Sequence, residues 1–115
     1  MKKQTSLLIQ FMGDNPLVRI IDFMLENKPF DASKTEIAAG AQISRMSLFK
    51  HWDKLERYGI VKVSRRYGNT KLYKINSDNP IVKRVADLEF ALIRVAMEQQ
   101  KTVHKVQYHR LAVPA

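Results

Sequence analysis

Ser33-Lys34-Thr35-Glu36-Ile37-Ala38-Ala39-Gly40-Ala41-Gln42-Ile43-Ser44-Arg45-Met46-Ser47-Leu48-Phe49-Lys50-His51-Trp52-Asp53-Lys54-Leu55-Glu56-Arg57-Tyr58-Gly59 is the stretch from which the fold is read. It opens on a capping box, Ser33 with Glu36, in which hydroxyl and carboxylate satisfy amides that a helix start leaves without partners. A short helix follows from Lys34 to about Ala41, and the small side chains of Ala38, Ala39, Gly40 and Ala41 let another helix cross it closely. Beyond Gln42-Ile43, Ser44 is a second N-cap. A longer helix then runs from Arg45 to about Tyr58 and stops at Gly59, a residue suited to a left-handed cap. The reading is two helices joined by a tight turn.

On the C-terminal side, Val61-Lys62-Val63-Ser64-Arg65-Arg66-Tyr67 and Thr70-Lys71-Leu72-Tyr73-Lys74-Ile75 alternate in polarity around Gly68-Asn69. Two turn residues between period-two runs predict a β-hairpin. Ser77-Asp78-Asn79-Pro80 then opens a long helix, to about Lys101, in which Ile81, Val85, Leu88, Leu92 and Val95 follow the a/d spacing of a coiled-coil seam. On the N-terminal side, residues 5–12 predict a short apolar helix stopping near Gly13. Asn15-Pro16 starts another, with Leu17, Ile20, Ile21, Met24 and Leu25 on one face, Arg19, Asp22 and Glu26 on the other, and Pro29 as its end.

Helix, helix, turn, helix and hairpin in that order make a winged helix-turn-helix, mainly α with a small β-hairpin wing and a long C-terminal dimerisation helix. The expected divisions are an N-terminal apolar helical segment (1–14), a DNA-binding domain (15–76), the dimerisation helix (77–101) and a basic tail (102–115). Gly13-Asp14-Asn15-Pro16, Ser33-Lys34-Thr35-Glu36-Ile37-Ala38, Ile43-Ser44-Arg45, Lys54-Leu55-Glu56-Arg57-Tyr58-Gly59-Ile60-Val61, Gly68-Asn69-Thr70-Lys71-Leu72-Tyr73 and Asn79-Pro80-Ile81-Val82-Lys83 together resemble the archaeal-type winged helix-turn-helix transcriptional regulators, over roughly residues 7–95. The resemblance implies a transcriptional regulator of duplex DNA. One residue departs from the pattern: Gln42 stands where many helix-turn-helix proteins place glycine, which predicts a wider or strained turn.

Charge supports the same partner. The 115 residues carry a net +9, of which residues 45–74 hold +7, whereas residues 5–44 and 75–100 are slightly acidic. A single basic block between acidic segments fits a polyanion-binding face. The chain has no cysteine, which excludes thiolate metal sites, disulfides and a Cys nucleophile. No signal peptide is read after Met1-Lys2-Lys3, no run approaches a membrane span, and a cytoplasmic location is expected.

On a helical wheel, Leu48, Trp52 and Leu55 form the buried back of the Arg45–Tyr58 helix, and Met46, Ser47, Lys50, Lys54 and Arg57 its outer face. That division suits a helix lying in the major groove, with Arg45, Ser47 and Lys50 as candidates for base contact. In the wing, Arg65, Arg66 and Lys71 flank Tyr67, Asn69 and Thr70 and are assigned to phosphates or the minor groove. Lys34 and Thr35 add phosphate contacts at a helix start. Ordinary solvated faces, an edge strand protected by charge and simple capping are the plain alternatives.

The last helix, helped by Leu7, Leu8 and Phe11, is expected to form a homodimer through Ile81, Val85, Leu88, Leu92 and Val95, with Phe90, Ile93 and Met97 adding apolar surface outside the seam. His51, His104 and His109 show no ligand spacing, and neither a metal, a cofactor nor an enzymatic activity is expected. The rival readings are an architectural or plasmid-partition DNA-binding protein and a winged-helix protein-interaction module.

Overall fold

The computed structural model describes the backbone of residues 5–112 and the side chains of residues 5–101. Helix α1 spans Leu7–Met12 and is started by Ser6, whose hydroxyl accepts from the Ile9 amide at 3.2 Å. The same hydroxyl donates to the Asp22 carboxylate at 2.9 Å. Asp22 belongs to α2, Pro16–Glu26, and is 6% exposed. The wheel had set it on the solvent side with Arg19 and Glu26; the start of α1 covers that position and supplies the hydrogen bond a buried carboxylate needs. Asn15 caps α2 by accepting from the Val18 amide at 3.0 Å. Its end comes earlier than Pro29, because both the amide and the side-chain amide of Asn27 donate to the Phe23 carbonyl.

The capping box of α3, Lys34–Ala41, forms as expected: Glu36 N–H donates to the Ser33 hydroxyl at 3.2 Å and Ser33 N–H to the Glu36 carboxylate at 2.9 Å. Gly40 lies against the Phe23 ring so closely that a Cβ there would stand 2.1 Å from a ring carbon. The helices cross at that distance only because the position has no side chain. Gln42 takes the left-handed conformation, φ 59°, and Ile43 N–H donates to the Ala38 carbonyl at 3.0 Å. The turn is therefore strained but not wider: it closes its hydrogen bonds as glycine would, against a steric cost of about 1–2 kcal/mol.

Ser44 caps α4, Arg45–Arg57, and the helix ends in a Schellman arrangement at Gly59, φ +70°. Ile60 N–H reaches the Leu55 carbonyl at 2.9 Å and Gly59 N–H the Glu56 carbonyl at 3.0 Å. Strands β1, Val61–Tyr67, and β2, Thr70–Ile75, pair antiparallel with Val61 opposite Ile75 and Tyr67 opposite Thr70. The register shifts between Val63 and Arg65, so Ser64 is a bulge the alternation did not reveal. On its other edge β2 exchanges two hydrogen bonds between Tyr73 and Ala32, at 2.9 and 2.8 Å.

Helix α5 runs Pro80–Ala112, past the expected end near Lys101, because nothing between Lys101 and Pro114 breaks a helix. The expected basic tail thus continues α5 through residue 112; residues 113–115 and 1–4, including Met1-Lys2-Lys3, lie outside the described residues, as do the side chains of His104 and His109. Asn79 joins α5 to α4. Its oxygen accepts from the Ile81 and Val82 amides, and its Nδ2 donates to the Tyr58 and Gly59 carbonyls at 2.8 and 3.0 Å. The core gathers Ile20, Ile37, Leu48 and Leu55, all fully buried, with Trp52, Tyr73, Ile75 and Val82. Each such side chain contributes on the order of 1.5–3 kcal/mol.

Candidate nucleic-acid interface

The buried back of α4 is Leu48, Trp52 and Leu55, as the wheel predicted, which fixes the orientation of its other side. That side carries Arg45, Met46, Lys50, Lys54 and Arg57, all exposed, with Ser47 half-buried. Arg57 pairs with Asp53 one turn back, and the carboxylate's hydrogen bond raises the guanidinium pKa further. Arg45, Lys50 and Lys54 make no ion pair with a described residue.

The groove between α3, α4 and the wing collects six of the residues assigned from the sequence. Lys34 and Thr35 at the start of α3, Arg45 on α4, and Asn69, Thr70 and Lys71 at the wing tip line it, together with Ser33, Phe49 and Tyr73. The groove encloses about 410 Å³ and none of its lining residues is acidic. Phe49 and Tyr73 are its aromatic lining, and behind it Trp52 meets Tyr73 edge to face, centroids 4.9 Å apart. The Lys34 ammonium lies 5.5 Å from the Trp52 centroid, 5.6 Å from Tyr73 and 5.7 Å from Phe49. Three ring faces within about 6 Å hold a cation by their quadrupoles. Burial of Tyr73 pushes its phenol pKa up.

The wing is less uniform than its sequence. Arg66 and Tyr67 are exposed beside Lys71. Arg65 instead turns back to Asp31, with Nε 3.0 Å from the carboxylate, and its guanidinium stands 5.7 Å from the Tyr67 centroid. The Ser64 hydroxyl, followed by Arg65, holds the Asp31 carboxyl below the usual aspartate range. Behind the turn, Arg19 pairs with Asp14 and also donates to the Ala41 carbonyl at 3.3 Å. The hydrogen bond from Arg19 lowers the Asp14 pKa, and Arg19 is raised in turn.

Two participants were absent from the sequence reading: Asp31, which restrains one wing arginine, and Phe49, which lines the groove. Phe49 had a signal, as an apolar residue off the buried face of an amphipathic helix. The seam residues divide. Leu8 is buried in this chain's own core, and Val85, Leu88 and Leu92 pack partly against it. Leu7 is half-buried, whereas Phe11, Ile81 and Val95 are exposed, with Phe90, Ile93 and Met97. Pro80, Ile81, Arg84, Val85 and Leu88 line a shallow, largely apolar groove. His51 is half-buried, and among the described residues no three His, Cys, Asp or Glu side chains are grouped to hold a metal ion. No helix among them is long and apolar enough to cross a membrane.

A hairpin that follows α4 directly and returns its tip to the start of α3 decides the architecture. The fold is a winged helix-turn-helix. No family model and no curated protein matches the sequence, but winged-helix solved structures match the fold. MepR, a transcription regulator of the Staphylococcus aureus multidrug efflux pump MepA, is 13% identical, with 91% of this chain and 82% of that chain covered at a TM-score of 0.60. ZitR of Lactococcus lactis, solved in complex with DNA, is 16% identical over 79% of this chain and 70% of its own, TM-score 0.51. Sso10a-2, a DNA-binding protein from Sulfolobus solfataricus, is 20% identical, covering 80% and 93%, TM-score 0.50. At these identities the winged helix-turn-helix likeness is one of fold.

Proposed function

We propose that this winged helix-turn-helix is a sequence-specific regulator of transcription that binds double-stranded DNA as a homodimer, an archaeal-type member of its class working in the cytoplasm and catalysing no reaction. The observation that carries the proposal is the groove whose lining includes Lys34, Arg45 and Lys71 and no acidic side chain, formed by the start of α3, the outer face of α4 and the wing tip. Its charge suits a phosphate backbone, and a helix beside it suits a major groove. In this reading α4 enters the major groove with Arg45, Ser47 and Lys50 at base edges and Met46 beside them, while Lys54 and Arg57 lie toward the backbone. Lys34 and Thr35 hold a phosphate at the α3 start. Arg66, Tyr67, Asn69, Thr70 and Lys71 follow the backbone or the minor groove, with Arg65 joining them once released from Asp31.

The MepR and ZitR chains, a transcription regulator and a protein solved on DNA, support this use of the fold. Dimerisation would cover Ile81, Val95 and the neighbouring apolar surface of α5, setting two reading helices about 34 Å apart. Selection of bound duplexes from a random pool at near-physiological salt tests the whole reading. An enriched inverted repeat with half-sites one helical turn apart is expected. Retention without a motif would replace the regulator by an architectural or partition protein, and no retention would leave a protein-interaction module.

A further inference from the structure

The outer face of α4 carries two large apolar side chains among its cations, Met46 at 80% exposure and Phe49 at 51%. Neither is needed for the core, which takes Leu48, Trp52 and Leu55 from the other side of the same helix. Residues three and four apart share a helical face, so Phe49 lies beside both Met46 and Arg45. Phe49 and Arg45 line the same basic groove, and the Lys34 ammonium near the Phe49 ring places a cation next to it on the α3 side. An apolar surface surrounded by Lys34, Arg45 and Lys71 suits a ligand that is anionic outside and apolar at one point. On the major-groove edges of DNA the one apolar group is the C5-methyl of thymine.

We propose that Phe49 is a specificity-determining residue that selects one thymine per reading helix by burying that base's methyl group, with Arg45 at a base edge beside it and Lys34 neutralising the adjoining phosphate. This deepens the DNA-binding reading and rests on it. An acidic protein with an apolar anchor is the competing occupant, and the groove's continuity from helix start to wing tip favours a backbone that runs along it.

The test uses the full chain and the best duplex recovered from the random pool. Each thymine is replaced in turn by deoxyuridine, which removes the methyl and leaves every hydrogen-bonding group in place. For the unaltered protein one substitution per half-site is expected to weaken binding about fourfold, the worth of one buried carbon. Phe49→Ala should bind the thymine and deoxyuridine duplexes equally, whereas Phe49→Leu keeps part of the difference; the half-exposed position makes both variants foldable, which thermal melts verify. Met46→Ala should leave the Phe49 thymine effect in place. The assignment is overturned if Phe49→Ala retains the full methyl dependence, if that dependence disappears with Met46→Ala instead, or if no thymine matters. Absence of any duplex binding by the unaltered protein would overturn the DNA reading itself, an outcome distinct from binding without methyl dependence.

Discussion

Gln42 is held at φ 59° with its amide hydrogen-bonded, so its strain belongs to its Cβ alone. Gln42→Gly removes that clash and gives up an Arg19 contact of 3.4 Å; it is expected to stabilise the protein by about 0.5–1 kcal/mol in urea unfolding. An unchanged or lower midpoint would mean the turn is unstrained. Asp31 acts on the wing in a comparable, single-residue way. Its depressed carboxyl makes the Arg65 latch complete above the ordinary aspartate value of about 3.9 and loses it as pH falls through the lower folded value. Asp31→Asn frees Arg65, and the slope of log Kd against log salt should steepen by about one. A slope equal to the parent's would show that Arg65 never reaches phosphate. Legibility at this scale followed locality. The caps Asn15, Ser33 and Ser44 were readable because each bonds an amide three residues away. Asp22 was not, because its covering comes from the start of α1, distant in sequence, whereas Phe49 carried a signal in its place off the buried face of α4.

Helix crossings are set by a few pairs. Phe23 lies over Gly40 where α2 meets α3. Gly40→Ala gains about 1 kcal/mol of helix propensity but displaces the ring, at about 1–3 kcal/mol. The single variant should be destabilised, and in a Phe23→Ala background the same change should become stabilising. If both backgrounds respond alike, the ring is not what excludes a side chain. Between α2 and α5, burial first, then Asp22 and Glu26, raise the Glu89 pKa. A carboxylate whose folded pKa is raised loses stability as pH rises from the ordinary value of about 4.3 through the folded one. Glu89→Gln should therefore stabilise at pH 7, with the gain disappearing below about pH 4.3. A gain independent of pH would point to packing instead of charge. Elements were readable where punctuation is local: the hairpin limits agree with the alternation around Gly68-Asn69. The Ser64 bulge was hidden because Asp31, from another segment, engages Ser64 and Arg65.

For the whole molecule, 70 Å long against 32 and 21 Å, the question is what covers α5. Leu88 and Leu92 already pack partly on their own domain, so substituting them disturbs the chain as well as any partner. Phe90 and Val95, 64% and 55% exposed, separate the two effects. Phe90→Asp with Val95→Asp is expected to preserve the melting temperature of the domain and halve the mass seen by sedimentation. An unaltered mass would count against the proposed dimer through this surface. The apolar spacing of α5 was legible as a pattern, but which part its own domain uses depends on where α1 lies.

Asn79 gives this arrangement a mechanical meaning. One side chain starts α5 and holds the Tyr58 and Gly59 carbonyls just past the end of α4, so a relative tilt of the two helices would pivot at Gly59. With 33 residues, α5 is an arm of about 50 Å. A tilt of roughly five degrees at the pivot carries its far end through about 4 Å, more than half the rise of a helical turn. By that geometry a small tilt of α4 would be read as a several-fold larger displacement at the far end of α5.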